Sequence, residues 1–314
     1  MKVLVTGASG FVGHWLRAEL EAAGHEVEGD EPDRMLDVTD RALLEERIAA
    51  LRPDAVAHLA AVAYAGDAAD DPAEAFRVNA GGTLNLCEAV RRDRASICVL
   101  VTGSSEVYGN PAPAELPLTE ESLLAPAATY GLSKAAQEAV ALAVAARWTL
   151  RLVVTRSFNH SGPGQRPVFV LPALARRVAS MRMGHAASIP VGNTDVRRDF
   201  TDVRDVVRAY RLLLEALVGG RIARGGAVFN VCSGRTLAIR DAIERFCGLA
   251  GVEPRLETDP SLVRADDPAE IRGDATALRT ATGWEPQIDL ETMLDDIWAE
   301  AAQAVGLSAR AAGG

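Results

Sequence analysis

Three glycines, spaced three residues apart, follow a short apolar run at the start of the chain. Residues 3–6 are mostly β-branched, the glycines are Gly7, Gly10 and Gly13, and apolar side chains then recur at helical spacing over residues 15–20. This order predicts a strand, a turn and a helix around a dinucleotide: Gly7 permits the turn, Gly10 admits a pyrophosphate and Gly13 lets helix pack on strand. The first-turn N–H groups would face the phosphates, although an ordinary strand-to-helix turn is the alternative. The predicted contacts are Gly7, Ser9, Gly10, Phe11, Val12 and Gly13.

The next segment favours one nicotinamide cofactor over the other. Residues 24–30 have the composition of a short second strand, and an acidic residue at the end of such a strand commonly binds the adenosine ribose hydroxyls. Asp30 and Glu31 stand there, while the nearest basic residue that could bind a 2′-phosphate is Arg34. The cofactor is therefore expected to be NAD(H) or NADP(H), with NAD(H) slightly favoured. The alternative is a pair of solvated turn carboxylates.

The alternation of apolar runs and helical patterns predicts an α/β fold, a Rossmann-type doubly wound parallel sheet with a smaller C-terminal substrate-binding lobe. Strands are expected at residues 55–61, 97–102 and 150–155, and helices at 41–51, at 73–92 and from 129. The alternation becomes irregular after residue 157. We therefore assign residues 1–157 and 200–231 to the dinucleotide-binding domain, and 158–199 and 232–314 to the lobe. The proline-rich segment 110–126 is expected to form a loop over the active-site mouth.

Composition excludes several classes of function. The 314 residues carry 33 Lys and Arg against 43 Asp and Glu, a net charge of −10, which argues against nucleic-acid and anionic-membrane partners. The longest apolar runs are strand-sized, and a strand already begins near residue 1, so neither a membrane span nor a signal peptide is expected. The four cysteines are scattered and the five histidines dispersed, so we expect reduced thiols, no metal site and a cytoplasmic location.

Two polar motifs follow the glycine turn. Residues 102–109 place Ser104 and Ser105 just after a predicted strand, and Tyr130 and Lys134 stand four apart, on one face of a helix. Hydride transfer at a carbon that bears oxygen requires a proton on that oxygen. A phenol with a pKa of about 10 exchanges it poorly, and an adjacent ammonium is expected to lower that pKa. Chance spacing and ordinary turns are the alternatives for each motif alone.

Together, the motifs resemble those of the extended short-chain dehydrogenases/reductases that act on nucleotide sugars. The resemblance rests on TGASGFVG (6–13), HLAA (58–61), Asn79, SSEVYG (104–109), YGLSK (130–134) and RDFTDV (198–203). It implies Tyr130 as the acid/base, Lys134 as its partner and ribose ligand, and Ser104 on the sugar oxygen, with Ser105 as the fallback. The further cofactor contacts that it implies are Asp37, Val38, Leu59, Ala60, Ala61, Asn79, Thr102 and Phe158.

Within this family the chain is most similar to the GDP-4-keto-6-deoxy-D-mannose reductases. The segments 157–165, 192–200 and 273–284 carry this similarity. It implies a nucleotide-diphosphate sugar as substrate, NAD(P)H-dependent reduction of its C4 ketone, and GDP-rhamnose as the product. The implied substrate contacts are Asn159, Asn193, Arg198 and Arg264, the arginines being suited to diphosphate. For Arg198, the alternative is a salt bridge with Asp199 or Asp202.

Glu106 leaves a second activity open. Sugar 4,6-dehydratases of this family use a carboxylate at this position, so a 4,6-dehydratase, or a 4-epimerase, with tightly bound NAD is the alternative. Ser105, rather than an acid, precedes Glu106, which favours reduction. A homodimer is also expected, through a four-helix bundle formed by the small-residue faces of the helices at 73–92 and 130–146.

Overall fold

The computed structural model describes residues 1–30, 36–94, 96–263 and 267–307. The strands are β1 (Lys2–Thr6), β2 (Glu26–Gly29), β3 (Ala55–His58), β4 (Cys98–Thr102), β5 (Arg151–Ser157), β6 (Asn159–Ser161), β7 (Ile189–Val191), β8 (Arg197–Asp202), β9 (Ala227–Val231), β10 (Thr236–Ala238), β11 (Leu256–Thr258) and β12 (Glu270–Ile271). The helices are α1 (Phe11–Ala22), α2 (Arg41–Leu51), α3 (Ala65–Asp70), α4 (Pro72–Phe76), α5 (Thr83–Asp93), α6 (Thr129–Trp148), α7 (Val170–Arg182), α8 (Val203–Val218), α9 (Ile239–Ala250), α10 (Thr276–Thr282) and α11 (Leu290–Ala304).

Six strands form one parallel sheet in the order β2-β1-β3-β4-β5-β9. Its central strands are buried on both faces, which is why their sequences are continuously apolar. Two hydrophobic clusters cover the sheet, one containing α1 and α8 residues and the other α2, α5 and α6 residues. The predicted doubly wound α/β fold is confirmed.

The strand order places a crevice beside β1. The chain leaves β1 for β2 on one side, and β3 pairs with β1 on the other. In open α/β sheets the ligand site lies at the carboxyl ends of the strands, where the order reverses in this way. Thr6 and His58 are register partners at this edge, and Thr102 ends the adjacent β4.

Residues 159–202 and 232–271 contribute a second set of short strands. β8 pairs with β6, β10 and β12, and β7 pairs with β11. Helices α7, α9 and α11 pack around a separate hydrophobic cluster that includes Phe200 and Phe246. Ala275, Leu278 and Trp284 pack instead in the cluster around α8, so the segment 275–284 lies against the six-stranded sheet's covering helix.

Most predicted elements are present, and one helix differs in form. The helix expected at 73–92 consists of α4, a six-residue π-helix (Arg77–Gly82) and α5 in succession. A π-helix is rare and often marks a functional position; this one contains Asn79. The predicted loop 110–126 contains one short 3₁₀ turn, Pro113–Glu115.

The sequence predicts reduced cysteines, no membrane-spanning helix and no metal site. All four cysteines are buried free thiols. Within the described ranges, no helix combines the length and apolar character needed to cross a membrane. The same residues contain no group of three or more His, Cys, Asp or Glu side chains that could hold a metal ion.

Candidate active site

The glycine turn forms a cradle that side chains would fill. Gly7 has a φ of +72°, and a Cβ there would lie 2.8 Å from the Ala60 backbone nitrogen. A Cβ on Gly13 would lie 2.3 Å from the Gly7 carbonyl oxygen, so α1 packs directly on the turn. Gly10 caps α1 without a side-chain bond, and the first turn holds no acidic residue. The N–H groups of the first turn of α1, at the positive end of the helix dipole, are therefore open to an anion. This arrangement fits a dinucleotide pyrophosphate.

Asp30 is tied to this turn rather than projecting from it. Its carboxylate accepts hydrogen bonds from the N–H groups of Gly7 at 2.6 Å and Leu36 at 3.1 Å, and the residue is buried. Asp37 is exposed, and its hydrogen bonds from Thr39 hold the pKa of its carboxyl below the usual range. Each oxygen of the Asp30 carboxylate accepts one hydrogen bond, so each retains capacity to accept another beside the turn. Glu31 lies outside the described residues.

A chain of buried polar groups connects the ends of β1 and β3 to the π-helix. His58 Nδ1 lies 2.8 Å from Thr6 Oγ1, and Nε2 lies 3.0 Å from Thr83 Oγ1. The Thr83 hydroxyl in turn donates to the Asn79 carbonyl oxygen at 2.7 Å. Burial, with a smaller contribution from the charge of Lys134, lowers the pKa of His58 to about 3. His58 is therefore neutral, which explains why it needs no carboxylate partner.

Asn79 extends this chain to the helix that carries Tyr130. Its side-chain NH₂ donates to Ser133 Oγ at 2.9 Å and to the Val62 carbonyl oxygen at 3.2 Å, while its Oδ1 accepts from Val62 N–H. Ser133 Oγ donates to the Tyr130 carbonyl oxygen at 2.8 Å. Both donors of Asn79 are thus used by the protein, so this side chain supports the backbone after β3 and the start of α6.

Tyr130 and Ser104 are brought together at the carboxyl end of β4. The Ser104 hydroxyl hydrogen-bonds the Tyr130 phenol, which acts to lower its pKa. Burial and the nearby carboxylate of Glu106 outweigh that bond, so the pKa of Tyr130 is raised. The net shift is therefore opposite in direction to the lowering expected from the sequence. The phenol therefore carries its proton at neutral pH.

Lys134 is buried one turn after Tyr130. Its Nζ donates to the carbonyl oxygen of Thr102 at 2.9 Å and to Oε1 of Gln137 at 2.8 Å. Burial lowers the pKa of Lys134 to about 7. Thr102 also donates from Oγ1 to the His58 carbonyl oxygen at 3.1 Å, so the strand ends, the histidine and the lysine form one connected site.

The remaining expected contacts around the cofactor fall into two groups. Ser9, Phe11, Val12, Leu59, Ala60 and Ala61 are exposed or half-buried around the glycine turn. Val38 is buried and a Cβ on Gly82 would touch its side chain at 2.6 Å. Phe158 is buried in the core near Tyr108, with ring centroids 6.1 Å apart. Its side chain therefore packs against protein.

The predicted substrate residues are spread over the second set of strands. Asn159 is half-buried at the start of β6, and Asn193 is exposed, with its Oδ1 accepting from the Asp195 N–H. Arg198 forms an ion pair with Asp267 and donates to the Pro268 carbonyl oxygen at 2.9 Å. Its acidic partner is therefore neither of the two considered from the sequence: Asp199 accepts from Ser233, Gly234 and Gly273, and Asp202 pairs with Arg204. Arg264 lies outside the described residues.

Sequence reasoning missed the residues that support this site. Thr83 and Gln137 lie in no motif, whereas Thr6, His58 and Ser133 lie within the motifs at 6–13, 58–61 and 130–134 but were given no role of their own. A second buried group, Glu138 with Arg156, was also missed; the two side chains form a bidentate ion pair at 2.6 and 3.0 Å. The available signal was position: a polar side chain beside a predicted catalytic residue, on the face that packs inward.

The arrangement can bind a dinucleotide at the glycine turn and exchange a proton at Tyr130. Comparison with known proteins agrees with this chemistry. Residues 34–297 match the model of the GDP-mannose 4,6-dehydratase family. A GDP-6-deoxy-D-mannose reductase of Pseudomonas aeruginosa is 38% identical over 93% of this chain and 94% of its own length.

Solved structures show the same similarity. The structure of that bacterium's RMD in complex with NADPH superposes with a TM-score of 0.86 and 37% identity, covering 96% of this chain and 99% of the other. A Thermus thermophilus UDP-glucose 4-epimerase in complex with NAD gives a TM-score of 0.84 at 26% identity, covering 97% and 100%. The chain belongs to the GDP-mannose 4,6-dehydratase family, within the extended short-chain dehydrogenases/reductases, whose members are NAD(P)-dependent enzymes of nucleotide sugars.

Proposed function

We propose that the protein reduces the C4 ketone of a nucleotide-linked 4-keto-6-deoxy sugar, with GDP-4-keto-6-deoxy-D-mannose as substrate and GDP-rhamnose as product. The observation that carries the proposal is the hydrogen bond between Ser104 and a Tyr130 phenol that retains its proton. A ketone that receives hydride becomes an alkoxide and needs a proton donor within hydrogen-bond reach. The similarity to the Pseudomonas reductase supports the same reaction.

Each residue then has one task. Ser104 orients the ketone oxygen by a hydrogen bond, and Tyr130 donates its proton to that oxygen as negative charge develops there. Lys134 supplies the nearby positive charge that stabilises the resulting phenolate. Bound NAD(P)H supplies the hydride. Asn159 and Arg198 belong to the lobe that we propose holds the nucleotide sugar.

The nicotinamide cofactor can be either NAD(H) or NADP(H). The structural relatives include one protein in complex with NADPH and one with NAD. We propose that the Asp30 carboxylate, which follows β2, lies near the adenosine ribose of the bound cofactor, where its charge would favour hydroxyls over a 2′-phosphate. We therefore propose that both cofactors bind and that the enzyme uses NADH at least as well as NADPH.

The test is net consumption of reduced cofactor. Purified protein is mixed with NADPH or NADH and with GDP-, dTDP-, UDP- or CDP-linked 4-keto-6-deoxy sugars, and absorbance at 340 nm is followed. The proposal is supported if reduced cofactor is consumed in an amount equal to the reduced sugar formed, and if this consumption is lost in Tyr130→Phe. Formation of a sugar product without net consumption of cofactor contradicts it.

A 4,6-dehydratase or 4-epimerase is the second candidate, and Glu106 is the observation that favours it. Its exposed carboxylate is close enough to Tyr130 to raise the phenol's pKa, and a dehydratase needs an acid at this place. Glu106→Gln separates the two functions. A reductase should retain most of its activity, because the proton comes from Tyr130, whereas a dehydratase should lose it.

We also propose a homodimer that pairs α5 and α6 with their copies. These helices pack against each other. Leu84 on α5 and Leu132 on α6 are 41% and 46% exposed, and Phe76 at the end of α4 is 40% exposed. Two copies would bury these side chains in a four-helix bundle. Sedimentation should give a dimer, and Leu84→Asp should give a folded monomer; a monomeric wild type would contradict the proposal.

Two further assignments complete the proposal. The dinucleotide-binding domain comprises residues 1–157 and 200–231, and the nucleotide-sugar lobe comprises 158–199 and 232–314, with segment 275–284 anchored on the first domain by Trp284. Because all four cysteines are buried free thiols, we propose a reducing, cytoplasmic location.

A further inference from the structure

Gln137 is a completely buried amide next to the catalytic lysine. It lies less than one helical turn after Lys134 on α6, and its Oε1 accepts a hydrogen bond from the ammonium at 2.8 Å. The Thr102 carbonyl oxygen accepts a second at 2.9 Å. An ammonium has three hydrogens, so these two acceptors leave one donor for a ligand or for Tyr130.

The amide has only one workable orientation. Among the described residues, Gln137 Nε2 has no hydrogen-bond partner although it is buried. Exchanging the amide's oxygen and nitrogen would set an NH₂ against the ammonium, with two donors facing each other. A buried amide with unused donors is costly, and an apolar side chain would avoid this cost. The hydrogen bond to Lys134 is therefore the one contact that explains a glutamine at this position.

It matters that Gln137 is an uncharged acceptor, because the groups around Lys134 do not cancel the charge of its ammonium. His58 faces Lys134 from β3 and is neutral, and Tyr130 lies one turn earlier on the same helix. Glu106 faces Tyr130, and Glu138 is engaged by Arg156 from β5. In the part of the chain that the structure describes, no carboxylate forms an ion pair with Lys134.

We infer that Gln137 is a positioning residue, which holds the Lys134 ammonium, one helical turn after Tyr130, through a neutral acceptor and so leaves its positive charge uncancelled. The inference rests on the proposed function for its catalytic consequence. Burial lowers the pKa of Lys134 to about 7 and raises that of Tyr130, so Lys134 loses its proton first as pH rises. The alkaline limb of the reduction rate should therefore follow Lys134.

Direct measurement of this ionisation is possible because the chain contains only two lysines, Lys2 and Lys134. Protein labelled with ¹³C at lysine Cε should give two NMR signals, and Lys2, which lies 2.8 Å from Glu26 at the protein edge, is an internal control. The variants are Gln137→Glu, which adds a charge without changing size, and Gln137→Met, which removes the acceptor. Gln303→Glu makes the same chemical change on an exposed helix position and is the matched control.

We expect opposite shifts from the two variants. A carboxylate at hydrogen-bond distance should raise the Lys134 midpoint by about one to three pH units, and loss of the acceptor should lower it. The alkaline limb of kcat/KM should move in the same directions, while Lys2 and Gln303→Glu remain at wild-type values. Thermal unfolding establishes that each variant is folded, and if only one variant folds, its shift alone decides.

A merely structural role has a different signature. It would reduce stability and reduce kcat equally at every pH, with the Lys134 midpoint unchanged, and that result would overturn the inference. The NMR titration needs no substrate, so it is independent of the proposed function. If wild-type protein reduces no nucleotide sugar but the midpoints still shift as expected, the proposed function fails and the contact between Gln137 and Lys134 stands.

Discussion

Nε2 of His58 lies 3.0 Å from the hydroxyl oxygen of Thr83, and this contact determines which ring nitrogen carries the proton. Thr83 uses its only hydrogen on the Asn79 carbonyl oxygen, so its oxygen must accept from His58 Nε2–H. Nδ1 is then an acceptor for Thr6 Oγ1–H, whose oxygen accepts from Ala60 N–H at 3.3 Å. The network is complete only with a neutral imidazole.

The neutral state of His58 predicts a pH-dependent stability. The pKa is near 6.5 in the unfolded chain and about 3 in the folded protein, so unfolding takes up a proton between these values. The stabilisation that comes from keeping His58 neutral is fully present above pH 6.5. Below that pH, the free energy of unfolding falls by about 1.4 kcal/mol per pH unit. In His58→Gln this contribution is absent. Urea unfolding at pH 7.5, 6 and 5 should show the wild type losing its advantage over the variant as pH falls; a constant difference would contradict this.

Tyr130→Phe should remove the proton donor and leave the cofactor site intact. We expect kcat for reduction to fall on the order of 100-fold or more, because the phenol is the group that hydrogen-bonds Ser104 beside the site. The dissociation constant for NADPH, measured by fluorescence titration, should change less than about threefold, because at most one weak hydrogen bond to the cofactor is lost. Unchanged turnover would show that another group donates the proton.

Gly7→Ala should weaken cofactor binding for a steric reason. Its φ of +72° disfavours a side chain, and the new Cβ would lie 2.8 Å from the Ala60 nitrogen, which distorts the cradle. We expect at least a tenfold loss in NADPH affinity, about 1.4 kcal/mol. Gly24→Ala is the matched control, because Gly24 has a φ of +79° with nothing within 4 Å. It should cost about 1 kcal/mol of stability and no affinity; equal affinity losses would show that backbone strain alone is responsible.

Glu138→Gln should destabilise the fold strongly. Glu138 and Arg156 are 4% and 6% exposed, and Arg156 also donates to the Tyr108 hydroxyl and the Glu120 carbonyl oxygen. Removing the carboxylate leaves a buried guanidinium charge uncompensated, which we expect to cost about 3–5 kcal/mol in urea unfolding. Glu88→Gln breaks the pair with Arg91, whose two side chains are 22% and 25% exposed, and should cost much less. Equal losses would mean that burial of the charge is not the cause.

The sequence determined the parts of this protein that depend on local spacing. Gly7, Gly10 and Gly13 specify a turn within seven residues, and Tyr130 and Lys134 share a helix face because four residues make about one turn. Strand and helix positions followed from periodicity for the same reason. The π-helix around Asn79 did not, because nothing in its composition distinguishes an i→i+5 turn from an α-helix.

Only the tertiary structure decided what each polar group touches. The partner of Arg198 is Asp267, 69 residues away, and the acceptors of Lys134 are one residue on its own helix and one on β4. The proton on His58 depends on Thr6 and Thr83, which two other elements bring to it. Burial and hydrogen bonding set protonation and charge, and both depend on which distant segments the fold brings into contact.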